Sequence, residues 1–148
     1  LPDLESLKGM IDDTRKIAWS EHKRDIGILI HAYVVCRDTE KEALDYVKYY
    51  VDERGDREAA ERLIDILIGS KEESLPLDRR QTMQRALIAG WAGYPLVGTP
   101  EQIVDKIQTL SKIGVTGAAL HWVNFEAGIK QFNEKILPLM VQAGLRKR

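Results

Sequence analysis

Several features that would indicate particular classes of protein are missing from this sequence of 148 residues. It has one cysteine, Cys36, so no disulfide can form within the chain. No window resembles a signal peptide or an apolar helix long enough to span a membrane. Lys and Arg total 22 and Asp and Glu total 23, so the net charge does not favour binding to nucleic acid or to acidic lipid. We therefore expect a cytoplasmic protein with no nucleic-acid or membrane partner.

The sequence also lacks the short motifs of several common chemistries. It contains no GxxxxGK[ST] or GxGxxG, which bind nucleotide phosphates, and no CxxC or HExxH, which mark redox and metal sites. We therefore predict no metal site. With 148 residues, 44% of them hydrophobic and 30% charged, the chain is long and apolar enough to form one domain with an apolar core.

The clearest local pattern runs from Gly93 to Phe125 and predicts a loop, a helix and a strand. Thr99 can cap the helix, and Gln102, three residues later, can complete a capping box. Gly114 stands where a left-handed residue would end the helix. The mostly apolar run from Val115 to Val123 then suits a strand covered on both faces.

A second apolar run, Ile26 to Cys36 (IGILIHAYVVC), is rich in β-branched residues and predicts a parallel strand buried on both faces. Apolar spacing and capping patterns predict six helices, over about residues 3–23, 39–55, 56–69, 81–88, 99–114 and 124–144. Pro138 is expected to kink the last helix or to end it early.

Two parallel strands with about six helices indicate an α/β fold. Buried strands need neighbours on both edges, and two strands cannot supply them. The sheet should therefore be completed by further chain or by another copy, which predicts a homo-oligomer or a piece of a longer protein. The first residue, Leu1, is not methionine, and this favours the second expectation.

Polar side chains near the carboxyl ends of the two strands are candidate site residues, because parallel α/β folds place their sites there. His31 and Tyr33 share one face of the first strand, and His121 lies on one face of the second. The alternative is that the histidines are core residues bonded to backbone carbonyls and that Tyr33 is a packed aromatic. Cys36 has no evident base partner, which favours buried filler over a nucleophile. The residues alone leave the roles of the histidines open.

The glycine-rich segment Gly90 to Gly93 is a second candidate feature. It holds Trp91 and is followed by Tyr94. Glycine hinges beside aromatic residues suit a mobile lid over a site. A plain connector between helices explains the same residues equally well.

Two segments of the sequence resemble a known family. The run YPLVGTPEQIVDKIQTLSKIGVTGAAL, followed by NFEAGIKQFNEKILPLMVQAGLR, is similar to the C-terminal end of bacterial-luciferase-like flavin-dependent monooxygenases, and so is VCRDTEKEA at residues 35–43. The similarity is greatest to the dimethyl-sulfone and alkanesulfonate monooxygenase branch. Residues 55–59 and 93–95 favour the sulfone side.

The resemblance implies a C-terminal fragment of a (β/α)8 TIM barrel more than twice this length. The two strands would be the seventh and eighth of the barrel. Residues 1–148 would form a single partial domain, in which residues 55–98 are a helical insertion with a lid loop. The family's flavin-phosphate segment, after strand five, would lie before Leu1.

The resemblance also implies an activity, that of a reduced-flavin-dependent two-component monooxygenase that oxidises a small organic substrate with O2. Organosulfur compounds are one candidate class of substrate. Its cofactor would be FMN, supplied reduced by a partner flavin reductase. The implied catalytic residues are His31, Tyr33 and His121, and the implied cofactor-binding residues are Trp91, Tyr94 and Asn124.

The resemblance is incomplete at the positions that bind a sulfonate. The alkanesulfonate enzymes carry arginine, histidine, tyrosine and a further arginine where this sequence has His31, Tyr33, Val123 and Ala89. A sulfonate needs an arginine, so a neutral or weakly polar substrate is favoured.

Other functions remain open. They are a deazaflavin-dependent oxidoreductase on the same fold and a non-catalytic fragment that only self-associates. Even as a monooxygenase, the 148-residue chain alone is expected to be inactive. A helix-turn-helix between Asp56 and Gly90 is disfavoured by the balanced charge.

Overall fold

The computed structural model of this chain describes residues 3–68 and 76–147. Three parallel strands form one sheet: β1 (Leu29–Cys36), β2 (Tyr94–Gly98) and β3 (Gly117–His121). The α-helices are α1 (Leu4–His22), α2 (Glu40–Lys48), α3 (Arg57–Ile68), α4 (Leu77–Gly90), α5 (Pro100–Lys112), α6 (Phe125–Gln131) and α7 (Leu137–Gln142). No helix in the described ranges is long and apolar enough to cross a membrane.

Two π-helical segments extend these helices. Tyr49–Glu53 continues α2, and Phe132–Ile136 joins α6 to α7, so the described part of the chain forms six continuous helices, as predicted. The wider π turn lies just before α7, whose first turn contains Pro138. A proline there has no N–H to donate, so the regular hydrogen bonding of the helix is interrupted. The helix nevertheless continues past Pro138, so it does not end early.

Four of the predicted helix starts are confirmed by the caps of α2, α3, α5 and α6. Thr39 with Glu42, and Thr99 with Gln102, form reciprocal capping boxes at the starts of α2 and α5. Asp56 and Asn124 accept backbone N–H bonds at the starts of α3 and α6, from Ala59 at 2.8 Å and Ala127 at 3.1 Å. Each cap pairs a backbone N–H that the first turn of a helix leaves without a partner, so these helix starts could be predicted from the local sequence.

One helix differs from its prediction. α4 begins at Leu77, before the predicted start at Gln81, and runs on to Gly90. The predicted end of the preceding helix at Gly69, and the loop predicted from Lys71 to Asp78, lie largely outside the described residues.

The prediction of two strands was wrong. Residues 94–98 (YPLVG), predicted as loop and as the end of the helical insertion, form β2. The strand order is β2-β1-β3, with Cys36 opposite Gly98 on one edge of β1 and Leu29 opposite Gly117 on the other. The central strand therefore has both its neighbours within this chain. In the described ranges the outer edges of β2 and β3 pair with no strand.

The helices cover one face of the sheet. On that face Ala32, Val34 and Cys36 of β1 and Leu96 of β2 are almost fully buried, and Ile103 of α5 packs in the same core. At the carboxyl end of the sheet, α2 also covers part of the opposite face.

The remainder of that opposite face is open. Leu29 is 72% exposed, and His31 and Ala119 are also exposed. The prediction that both strands are covered on both faces is therefore wrong for this chain. The histidines lie on the open face.

Candidate functional site

His31 and His121 form a stacked pair on the open face of the sheet. Their ring centroids are 4.4 Å apart and their ring planes are inclined at 17°. The register places Tyr33 opposite His121 and Ala119 opposite His31. Because side chains alternate along a strand, all four residues share one face, and the small side chain of Ala119 leaves room for the imidazoles to meet.

Tyr33 completes a cluster of three polar rings, which we call the histidine cluster (His31, Tyr33 and His121). The Tyr33 ring centroid lies 6.3 Å from that of His121. Burial raises the pKa of the Tyr33 phenol, although the positive charge of Arg85 opposes the rise. Tyr33 is therefore a neutral hydrogen-bond donor at neutral pH.

His121 is the more constrained imidazole. Burial lowers its pKa below the ordinary 6.5, and the neighbouring His31 lowers it further. Its Nδ1 atom is buried and has no hydrogen-bond partner among the described residues. Buried polar atoms in proteins are normally paired, so this nitrogen is an exception that needs a polar partner.

The turn between α4 and β2 packs directly on the histidine cluster. A Cβ atom built on Gly90 would lie 2.6 Å from His121 Nε2 and 2.6 Å from Tyr33 Cβ. A Cβ atom on Gly93 would lie 3.0 Å from His31 Nδ1. Only glycine permits this approach of the backbone to the rings, so both glycines serve close packing.

The predicted lid loop is in fact the end of a helix and a tight turn. Trp91 caps α4 in the left-handed conformation (φ 52°), and the Gly93 N–H donates to the Gly90 carbonyl at 2.8 Å. Tyr94 then begins β2. Whether this segment moves as a lid stays a prediction.

The end of α4 is held in place by the π-helical segment after α2. The Tyr50 hydroxyl donates to the Ala89 carbonyl at 2.9 Å, and burial strongly raises the pKa of that hydroxyl. Arg85 forms an ion pair with Asp52 on the same segment. These contacts fix the turn against the histidine cluster.

A cavity of about 200 Å³ opens beside the cluster at the carboxyl ends of β1 and β3. We call it the histidine cavity. Its polar lining comes from Tyr33, Tyr50 and His121, and Trp91 closes one side. Binding sites for whole small molecules are typically about 300–1,000 Å³, so this cavity has the size of part of a site. The described chain contributes no charged side chain to its lining.

The structure brings four of the six predicted site residues together, namely His31, Tyr33, His121 and Trp91. Tyr94 lies on the helix-covered face and packs against the main core. Asn124 caps α6 and lines a different pocket. Cofactor-binding roles for Tyr94 and Asn124 stay predictions.

One residue of the site, Tyr50, was not predicted. Tyr50 touches the site only because the π-helical segment Tyr49–Glu53 packs against α4, and no local signal in the sequence marks it. Cys36 faces the core, and burial raises the pKa of its thiol, which fits the predicted filler role. In the described ranges no group of three or more His, Cys, Asp or Glu could hold a metal ion.

A family model described as "Luciferase-like monooxygenase" matches residues 1–117 of this chain. The FMNH2-dependent dimethylsulfone monooxygenase of Pseudomonas fluorescens (strain Pf0-1) is 29% identical over 142 residues, which cover 93% of this chain and 38% of that protein. The enzyme of the same description from Pseudomonas putida is 27% identical over 150 residues, covering 98% and 40%. This chain thus spans about two fifths of the length of these curated relatives.

Solved structures with the same fold include a long-chain alkane monooxygenase, with a TM-score of 0.79 and 23% identity. Another is a riboflavin lyase crystallised with modified FMN and riboflavin, with a TM-score of 0.79 and 19% identity. This chain is covered to 98% and 99%, and the solved chains to 36% and 38%. The comparison confirms the predicted fold class, the C-terminal portion of a (β/α)8 barrel, with three strands where two were predicted.

Proposed function

Because this chain belongs to the luciferase-like monooxygenase family, we propose that it forms the C-terminal part of a reduced-flavin-dependent monooxygenase barrel acting on a small neutral organic substrate. The observation that carries the proposal is the histidine cluster beside the histidine cavity. As part of the proposal, residues 1–148 are a single partial domain, with α3 and α4 as the helical insertion.

The position of the helices supports a location of the cluster inside the barrel. In a (β/α)8 barrel the helices lie outside, and the uncovered face of each strand points toward the axis. Here the helices cover the face of Ala32, Val34 and Leu96, so the face with His31 and His121 corresponds to the interior. Sites in such barrels lie at the carboxyl ends of the strands, where the histidine cavity opens.

The residues of the cavity fit part of a flavin site. The buried Nδ1 of His121 lacks a polar partner among the described residues, and the buried Gly90 packs against the Nε2 side of the same ring. When bound, reduced FMN supplies the electrons with which O2 is activated. The protein orients the bound molecules and excludes water from the cavity. Tyr33 donates a hydrogen bond, His121 forms one as a neutral imidazole, and Trp91 covers the cavity.

The uncharged lining supports a neutral substrate. A sulfonate or carboxylate bound in the histidine cavity would lack a cation, because Arg85 is already paired with Asp52. A sulfone is neutral and has two acceptor oxygens that Tyr33 and a histidine N–H could bind. Dimethyl sulfone, named in the description of two relatives, is therefore the first substrate to test.

The test is an oxidation assay on the protein of which this chain forms part. The protein is supplied with FMN, NADH and a flavin reductase in air, and the loss of dimethyl sulfone is followed by gas chromatography. We expect consumption that requires both reduced FMN and O2. His31→Ala should lower turnover at least about tenfold through loss of a transition-state hydrogen bond, and His22→Ala, on the exposed side of α1, should not.

The alternatives give different results. Oxidation of a reduced deazaflavin by an organic substrate that accepts its hydride, with no need for O2, would favour the deazaflavin-dependent oxidoreductase. A second candidate, self-association without catalysis, is favoured by the open sheet face around Leu29 and by the free outer edge of β3. A stable oligomer of this chain that leaves flavin fluorescence unquenched at tens of micromolar would support that candidate for the isolated chain.

A further inference from the structure

A second pocket lies at the same end of the sheet, between α2 and α6, and has a volume of about 240 Å³. We call it the Arg37 pocket. The residues that line it include Cys36, Arg37, Tyr46, Trp122, Asn124 and Gln131. It adjoins the histidine cavity, because Val34, Val35, Trp122 and Val123 line both. Unlike that cavity, it contains a charged side chain.

Arg37 is held in a defined position. It follows β1 directly, and its backbone N–H donates to the Gly98 carbonyl at 3.1 Å. Its Nη1 donates to the Cys36 carbonyl at 2.7 Å, and its Cζ lies 4.1 Å from the centre of the Tyr46 ring. A guanidinium stacked on an aromatic ring keeps its edge free for planar hydrogen bonds.

The charge of Arg37 is not neutralised by a carboxylate in the described part of the chain. No acidic oxygen there lies within 4.0 Å of its guanidinium. The adjacent Asp38 instead pairs with Lys135 at 3.0 Å. Of the five N–H donors of a guanidinium, one is used by Cys36, so several are available to a bound group.

The other polar residues of the pocket also offer donors. The Asn124 side-chain oxygen accepts a hydrogen bond from the Ala127 N–H. The NH2 group of the Asn124 side chain is therefore the part that can donate to a bound group. Gln131 carries a second amide at the pocket wall. A cation and two amides in a half-enclosed pocket favour a group that only accepts hydrogen bonds and carries negative charge.

We propose that the Arg37 pocket is an oxyanion subsite that binds a phosphate group. A phosphate accepts bidentate hydrogen bonds from the edge of the Arg37 guanidinium and further bonds from the amides of Asn124 and Gln131. Free inorganic phosphate and the phosphate of a flavin mononucleotide share this chemistry. The free anion is the expected occupant, because the resemblance places the family's flavin-phosphate segment before Leu1. The inference does not depend on the proposed function, because the binding of phosphate is measured without turnover.

The experiment titrates the chain with inorganic phosphate at constant ionic strength and follows backbone and arginine side-chain NMR signals. We expect saturable shifts at Arg37, Gly128 and Gln131, all of which line the pocket. Arg37→Gln should weaken phosphate binding at least about tenfold, because a hydrogen bond from a charged donor changes the dissociation constant by more than a factor of about ten. Arg24→Gln removes an exposed arginine outside the pocket and should leave the affinity unchanged.

Two results would overturn the proposal. One is equal phosphate affinity in the Arg37→Gln and Arg24→Gln proteins. The other is a shift map of the unsubstituted chain that is scattered away from the pocket, and this holds even if Arg37→Gln fails to fold. Competition by FMN but not by riboflavin would identify the flavin phosphate as the occupant, whereas no competition by FMN would leave a site for the free anion.

Discussion

His31 and His121 stack with their ring centroids 4.4 Å apart, although they lie on different strands and far apart in the sequence. Burial lowers the pKa of His121, and the nearby His31 lowers it further. His121 therefore presents a neutral polar ring at neutral pH, which is consistent with the uncharged lining of the histidine cavity.

The first prediction concerns pH. The folded chain holds the pKa of His121 below 6.5, so the unfolded chain binds the proton more readily. Stability should therefore be fully present above pH 6.5 and should fall as pH drops from 6.5 toward the folded pKa. Urea unfolding between pH 5 and 8 measures this. His121→Gln should flatten the dependence and His22→Gln should not; an unchanged slope in the His121→Gln protein would contradict the assignment.

The second prediction concerns the contact between Gly90 and the histidine cluster. Gly90→Ala places a Cβ atom 2.6 Å from His121 Nε2, so the turn or the rings must shift. We expect a loss of about 1–3 kcal/mol in the free energy of unfolding. The matched control is Gly9→Ala in α1, where a Cβ atom would meet nothing within 4 Å. There alanine should stabilise by about 0.5–1 kcal/mol. Similar effects at both sites would show that Gly90 is not packed as described.

The third prediction concerns the anchor of the turn. Tyr50→Phe removes the hydroxyl that donates to the Ala89 carbonyl, at a cost of about 0.5–1.5 kcal/mol. The effect should be local, so amide hydrogen exchange at residues 89–93 should become faster while α5 is unaffected. Tyr49→Phe is the control, because Tyr49 is exposed and its ring lies beside the Arg54 guanidinium. Equal exchange in the two variants would argue against an anchoring role.

The fourth prediction concerns the start of α5. Thr99→Ala removes one half of the capping box with Gln102 and should lower the free energy of unfolding by about 1 kcal/mol. Thr109→Ala, in the same helix, removes only a hydroxyl bonded back to the Asp105 carbonyl. That substitution should be nearly neutral, since alanine has the higher helix propensity. Thermal unfolding followed by circular dichroism distinguishes the two; a Thr99→Ala protein as stable as the Thr109→Ala protein would contradict the prediction.

The site was predictable in part. The alternation of side chains along a strand correctly placed His31 with Tyr33, and the parallel pairing of β1 with β3 brought His121 to them. Trp91 was identified from its glycine neighbours, and it lines the cavity. Tyr94 was assigned to the same segment, but β2 turns its side chain to the opposite face, because the segment pairs with β1 as a strand.

The sequence by itself determined the helices and the starts of those that have side-chain caps, since caps and apolar stripes join residues no more than about four apart in the chain. The start of α4, which has no side-chain cap, was not among them. Only the tertiary structure decided that residues 94–98 are a strand. That segment is short and bounded by Gly93 and Gly98, so it becomes a strand only when its backbone bonds to the edge of β1. The same holds for the Gly90 contact and for the Tyr50 to Ala89 bond, which depend on how α4 packs against β1 and against the π-helical segment after α2. Contacts between distant residues are set by packing and register, and no local pattern encodes them.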